Sequence, residues 1–202
     1  MRLVPALTAV LVLSCCSETP RETKSKAPEQ PSAPLTGRQA FQMTFAAARG
    51  WAADCQPLRI RSMNLTQLPI EPGKASVWEI TYVSQATSRA RVYTWSTIEA
   101  EANLHKGVFP GLQQSWSGPS GQERPFLPAA INIDTPDALK TALQDAGGYL
   151  QKPGKKPPVT FLLEFTPRFP NPTWRVMWGE SVGAAEYTVF IDVSTGVVLG
   201  RG

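Results

Sequence analysis

Apolar residues recur along the body of this chain at two spacings, helical and alternating, and the order of those spacings predicts a helix followed by strands, twice. Phe41, Thr44, Phe45, Ala48 and Ala52 fall on one helical face. Ahead of them Thr36-Gly37-Arg38-Gln39 has the form of a capping box, with Thr36 as N-cap and Gln39 reaching back, and the helix is expected to end near Gly50 and Trp51. In the second helix Leu139, Ala142, Leu143 and Ala146 line one face, Thr135 is the expected N-cap, Pro136 suits the first helical position, and Gly147-Gly148 is the expected stop. A helix with a single apolar stripe needs a surface to lie on.

Alternation supplies that surface. Leu58 and Ile60 alternate with Arg59 and Arg61, and Val159, Phe161, Leu163 and Phe165 alternate with Thr160, Leu162, Glu164 and Thr166. Trp78-Glu79-Ile80-Thr81-Tyr82 and Trp174-Arg175-Val176-Met177-Trp178 each put an aromatic, a β-branched and a second aromatic residue on one strand face. Third strands are expected at Ala90 to Trp95 and Ala185 to Phe190. The matching order predicts an α+β fold of two repeated units, each a helix packed on an antiparallel sheet, over residues 35–99 and 131–202. Residues 100–130, rich in Gly and Pro, read as a long connection that packs on the body through Val108, Phe109, Leu112, Trp116 and Phe126. Residues 130–134 are expected to add a short strand.

The amino terminus follows a different pattern. Arg2 precedes an apolar run from Leu3 to Leu13 that is broken only by Pro5 and Thr8 and followed by Ser14. A membrane-spanning helix needs about 20 apolar residues, so residues 1–14 read as an export signal. Residues 15–34 follow with Pro20, Pro28, Pro31, Pro34 and mixed charges, and from Ser17 onward they contain no Val, Ile, Leu or aromatic residue. Such a composition predicts a disordered tether, and the stretch from Ser17 to Pro34 would reach roughly 23 Å as a coil or about 56 Å as polyproline II.

Composition changes this picture little. With 42% hydrophobic and 18% charged residues the chain can bury an ordinary core. Its net charge of +4 lies partly in Arg2 and comes with no nucleic-acid-binding motif, so no nucleic-acid partner is expected.

Two stretches carry resemblances. Val12-Leu13-Ser14-Cys15 resembles the bacterial lipobox. That likeness implies acylation of the Cys15 thiol, with Cys15 as the mature N-terminus, membrane lipid as its partner and an envelope location. Several acyl chains on one residue anchor stably where one binds only reversibly. Cys16 is the alternative acceptor, although it would place Cys15 at the small-residue position. The segment Tyr187 to Leu199, with Asp192-Val193-Ser194-Thr195-Gly196 at its centre, looks like the end of a PepSY domain, where a strand runs into Asp-x-x-Thr-Gly and a second strand returns. Independently of that likeness, Asp192 can bond the turn backbone, Thr195 belongs to the same turn, and Gly196 can take a positive φ in a bulged hairpin. PepSY modules resemble cystatin-like folds, and the resemblance implies a non-catalytic module that binds or regulates a protein partner, a peptidase among the candidates. It is similar over residues 135–199, whereas residues 36–99 lack the Asp-x-x-Thr-Gly turn.

Candidate chemistry is sparse. The one histidine, His105, cannot make a two-histidine metal site, and no cysteine pair has zinc spacing, so no cofactor is expected. Gly179-Glu180-Ser181-Val182-Gly183 matches a nucleophile elbow in letters, but an elbow needs a strand-to-helix turn with an acid and then a histidine downstream, and His105 lies upstream. A hydrolase using Ser181 and a small-ligand carrier with a pocket between helix and sheet are therefore the alternatives to a partner-binding protein. Lys152, Lys155 and Lys156 cluster before a strand, and Lys155, Lys156 and Arg175 form a candidate partner surface. Cys55 reads as a buried thiol, with a bridge to Cys16 as the alternative.

Overall fold

Thr36 starts the first helix by the reciprocal bonds its sequence suggests. In the computed structural model of the chain its Oγ1 accepts from Gln39 N at 3.3 Å and its own N–H donates to Gln39 Oε1 at 3.0 Å. The structure describes residues 33–65, 68, 70–100, 104–121, 123–152 and 157–202, all within one unit that runs from Pro31 to Gly202. Helix α1 spans Gly37–Trp51 and buries Ala40, Phe41, Thr44 and Ala48.

Helix α2, Thr135–Asp145, begins one residue away from expectation, because its N-cap is Asp134. Asp134 Oδ1 accepts from Thr135 N at 2.7 Å and also from Arg38 N at 2.9 Å. The Thr135 hydroxyl is occupied elsewhere, donating to Gly73 O at 2.6 Å and accepting from Gly37 N at 2.9 Å. A tertiary contact thus takes the side chain that local sequence offered as a cap. Gly147-Gly148 does not end the helical path either, but opens a short helix α3, Gly147–Leu150.

Eight strands follow in chain order: β1 Gln56–Met63, β2 Val77–Ser84, β3 Arg89–Ser96, β4 Gly107–Ser115, β5 Val159–Glu164, β6 Thr173–Trp178, β7 Tyr187–Asp192 and β8 Val198–Arg201. They form one antiparallel sheet in the order β4-β3-β2-β1-β5-β6-β7-β8. This overturns the expectation of two repeated helix-on-sheet units. As separate units, β1 and β5 would each leave a row of unpaired backbone groups at an edge. Here they pair with each other, with Ile60 opposite Leu163 and Arg61 opposite Leu162, and Phe161 N donates to Ser62 Oγ at 2.8 Å.

The core is continuous across that seam. One apolar cluster contains Phe41 and Ala48 of α1, Ala138 and Ala142 of α2, and Ile60, Trp78, Tyr82, Phe161, Leu163 and Trp174 of the sheet. The start of α1 lies directly on the second half of the chain, since a Cβ placed on Gly37 would come within 2.9 Å of the Trp174 indole. Both helices lie on the face that carries Trp78 and Trp174.

Two further expectations need correction. The 100–130 connection contains edge strand β4, whose Pro110 and Gly111 sit where the β3–β4 register shifts between Arg91 and Tyr93. An edge position with a bulge is where a sheet tolerates proline. Residues 130–134 form no strand; a 3₁₀ turn covers Pro128–Ala130, and the N–H groups of Asn132 and Ile133 both donate to Val193 O.

Candidate functional site

Because side chains alternate along a strand, the residues interleaved with the core positions project from the opposite face. The register aligns them in a row across the sheet: Phe109, Thr94, Glu79, Arg61, Leu162, Arg175 and Phe190. Among the described residues no helix packs against this row. Arg59 and Glu164 occupy the next level of the same face.

Ion pairs tie that face together across the β1–β5 seam. Glu164, with its side chain 3% exposed, receives Arg59 Nε on Oε2 and Arg175 Nη1 on Oε1, each at 2.9 Å. Arg61 Nη2 donates to Glu79 Oε1 at 2.9 Å. The arginines themselves remain partly accessible, at 40% for Arg59, 38% for Arg61 and 22% for Arg175. Arg61 Nε and Arg175 Nε are buried without a hydrogen-bond partner. Phe190 lies under two guanidinium groups, those of Arg168 and Arg175, each 5.6 Å from the ring centroid. The face is therefore a polar, cation-rich surface with its guanidinium groups held in place by a buried carboxylate.

Sequence alternation displays Arg59, Arg61, Glu164 and Arg175 as polar-face residues, but only the pairing of β1 with β5 brings the first pair to the second. Of the expected partner surface, Arg175 belongs to this network. Lys155 and Lys156 lie outside the described residues, as do Cys15 and Cys16. Cys55 is a buried, unbridged thiol whose pKa is pushed up by its burial.

The Asp192 turn joins β7 to β8. Asp192 Oδ1 accepts from Ser194 N at 2.8 Å and Thr195 N at 2.9 Å, Oδ2 accepts from Asn171 Nδ2 at 2.9 Å, and Gly196 takes φ +76°. Burial pushes the Asp192 carboxyl up, but the bonds from Asn171, Ser194 and Thr195 outweigh it and hold the carboxyl below its ordinary value of 3.8. A group depressed on folding stabilises the protein above its unfolded pKa, and that contribution fades as pH falls through the folded value. Asp192→Asn is therefore expected to cost about 1 kcal/mol at neutral pH. The gap from wild type in urea unfolding should close as the pH falls below about 4. A gap that stayed constant down to acid pH would show that the ionised carboxylate is not what the turn uses.

Ser181 lies in the link between β6 and β7, which contains a 3₁₀ turn at Val182–Ala184. It lines a half-open cleft of about 150 Å³ together with Arg61, Met63, Asn64, Thr160 and Glu180. His105 is remote from it: its Nδ1 sits 2.6 Å from Glu99 Oε1, its ring lies 4.0 Å from the Phe109 ring, and it precedes β4 at the sheet edge. Four strands separate β4 from β6, which at about 4.8 Å per strand is roughly 24 Å. Among the described residues no group of three or more His, Cys, Asp or Glu side chains is placed to hold a metal, and no helix is long and apolar enough to cross a membrane.

No family model and no curated protein matches the chain. The PepSY resemblance of residues 187–199 is thus not confirmed by any family model. Among solved structures, a candidate lipoprotein from Clostridium difficile 630 is similar to this chain with a TM-score of 0.48 at 10% sequence identity, covering 81% of this chain and 91% of that one.

Proposed function

We propose that this chain is a non-catalytic envelope lipoprotein, acylated at Cys15 and tethered by the residues up to Pro34, whose body binds a protein partner through the sheet face bearing Arg59, Arg61 and Arg175. The observation that carries the reading is the Arg59–Glu164–Arg175 network on a face against which no described helix packs. Long polar side chains fixed in place on a sheet face cost less entropy to immobilise in a complex than mobile ones. The lipobox supports the anchor, and the PepSY resemblance makes a peptidase a partner class to examine. Ser181 without a nearby histidine supports a non-catalytic role. The space between helices and sheet is filled by Trp78, Tyr82, Phe161 and Trp174, each under 2% or at 2% exposed, which counts against a carrier pocket there.

The anchor has a direct test. Mass spectrometry of the mature protein should find an acylated N-terminal Cys15, and Cys15→Ser should move the protein from the membrane fraction to the soluble or precursor fraction. An unmodified mature terminus, or acylation on Cys16, would remove Cys15 from this role.

A further inference from the structure

The arginine face also has a chemical preference. We infer that it recognises an acidic segment of a partner protein, with the partner's carboxylates seated on the guanidinium groups of Arg61, Arg59 and Arg175; this rests on the partner-binding reading above and names the chemistry of the occupant. Three observations lead to it.

The first is charge. On strands β2, β1, β5 and β6 this face carries Arg59, Arg61 and Arg175 against Glu79 and Glu164, and Arg168 adds a fourth guanidinium over Phe190. Glu79 and Glu164 are already engaged from within, and with Glu180 in the cleft beside Arg61 the four guanidinium groups face three carboxylates, which leaves a surplus of one positive charge.

The second is incomplete satisfaction. A guanidinium presents five N–H donors in a rigid fork that suits a planar carboxylate bidentately. Arg61 directs Nη2 to Glu79 and leaves Nε buried without a partner, and Arg175 directs Nη1 to Glu164 and likewise leaves Nε without one. A buried donor without an acceptor is costly. With Nε enclosed in both, an incoming carboxylate would meet the guanidinium ends of side chains that are 38% exposed for Arg61 and 22% for Arg175.

The third is spacing. Arg59 and Arg61 are alternate residues of one strand, so their stems stand about 6.7 Å apart, and Arg61 and Arg175 are two strands apart, at roughly 9.6 Å. An extended polypeptide with Asp or Glu at alternate positions repeats at the same 6.7 Å. Glu164 fixes Arg59 and Arg175 from below, which favours a partner with defined carboxylate positions over a diffuse polyanion.

The test uses the mature acylated protein in detergent micelles and a fluorescein-labelled peptide, Glu-Thr-Glu-Thr-Glu-Thr-Glu, followed by anisotropy. Binding is expected, weakened roughly tenfold or more by Arg61→Gln, less by Arg61→Lys, and unchanged by Arg49→Gln, at an exposed position of α1 on the other side of the sheet. Glu79→Gln should tighten binding, an outcome that mere destabilisation cannot produce. No binding, or equal loss in the Arg49 variant, overturns the inference. So does an Arg61-dependent association of equal strength with inorganic phosphate or with vesicles containing phosphatidylglycerol, which would make the face a general anion or lipid contact. In parallel, a photo-crosslinking residue at Thr81, on the same face, is placed in the protein in cells. A defined protein crosslink without acidic-peptide binding removes the carboxylate chemistry and leaves partner binding standing, whereas absence of both removes the two together.

Discussion

Trp174→Ala is expected to destabilise the protein by about 3–5 kcal/mol. The indole is fully buried, its Nε1 donates to Ile133 O at 2.9 Å, and it meets Phe161 edge-on at 6.5 Å with an interplanar angle of 85°. Removing it opens a cavity where α1 begins and leaves the Ile133 carbonyl without its donor, so a transfer loss, a cavity and an unsatisfied polar group add. For a chain of this size the cost corresponds to a fall in Tm of roughly 6–20 °C. Trp174→Phe should cost distinctly less, because it keeps most of the ring volume and loses chiefly the hydrogen bond. Urea unfolding followed by fluorescence and by circular dichroism measures both variants. A loss below about 1 kcal/mol for Trp174→Ala at unchanged m would mean that this site can collapse around the deletion. The same experiment bears on architecture, since a core shared through Trp174 and Gly37 should unfold in one transition by both probes, whereas two independent units would give two.

Local signals in the sequence translated well, and signals that depended on distant chain did not. The Thr36 capping box needs only Thr36 and Gln39, and it forms as written. Thr135 had equal local credentials as a cap, yet the carbonyl of Gly73, sixty-two residues away, accepts the hydrogen bond of its hydroxyl and Asp134 caps instead. Alternation correctly separates Trp174, Val176 and Trp178 from Arg175 and Met177, because period two is a property of the strand alone. Which strand lies beside which is non-local, and the β1–β5 pairing that merges the halves into one sheet left no trace in either strand's own pattern. Strand β4 was hidden for another reason: Pro110 and Gly111 argue against a strand unless it is known to be a bulged edge. The arginine face divides in the same way, with its members legible as polar positions and their assembly around Glu164 visible only once β5 sits next to β1.

Gly73→Ala should be nearly as damaging as the loss of a core tryptophan, although it adds a single methyl group. Gly73 has φ +73°, and a Cβ there would stand 2.5 Å from Pro136 Cα and 2.8 Å from Pro136 N. Those are backbone atoms of the first turn of α2, so no side-chain rotation can relieve the contact. The left-handed conformation costs about 1–2 kcal/mol for alanine, and forced overpacking typically costs 1–3 kcal/mol more, giving a loss of about 2–5 kcal/mol. The strain also falls on a junction: Gly73 O accepts from the Thr135 hydroxyl, which in turn accepts from Gly37 N at the start of α1. Displacing Pro136 therefore loosens both helix starts over Trp174. Gly107→Ala is the matched control, with φ +81° and nothing within 4 Å of its Cβ position, so it should show the conformational cost alone. Denaturation midpoints together with amide spectra resolve the two contributions, and the Gly73 variant should shift the resonances of Gly37, Arg38 and Thr135. Equal losses for the two variants would mean that α2 can move away from residue 73 without cost, and that the contact between the helix starts is looser than its hydrogen bonds imply.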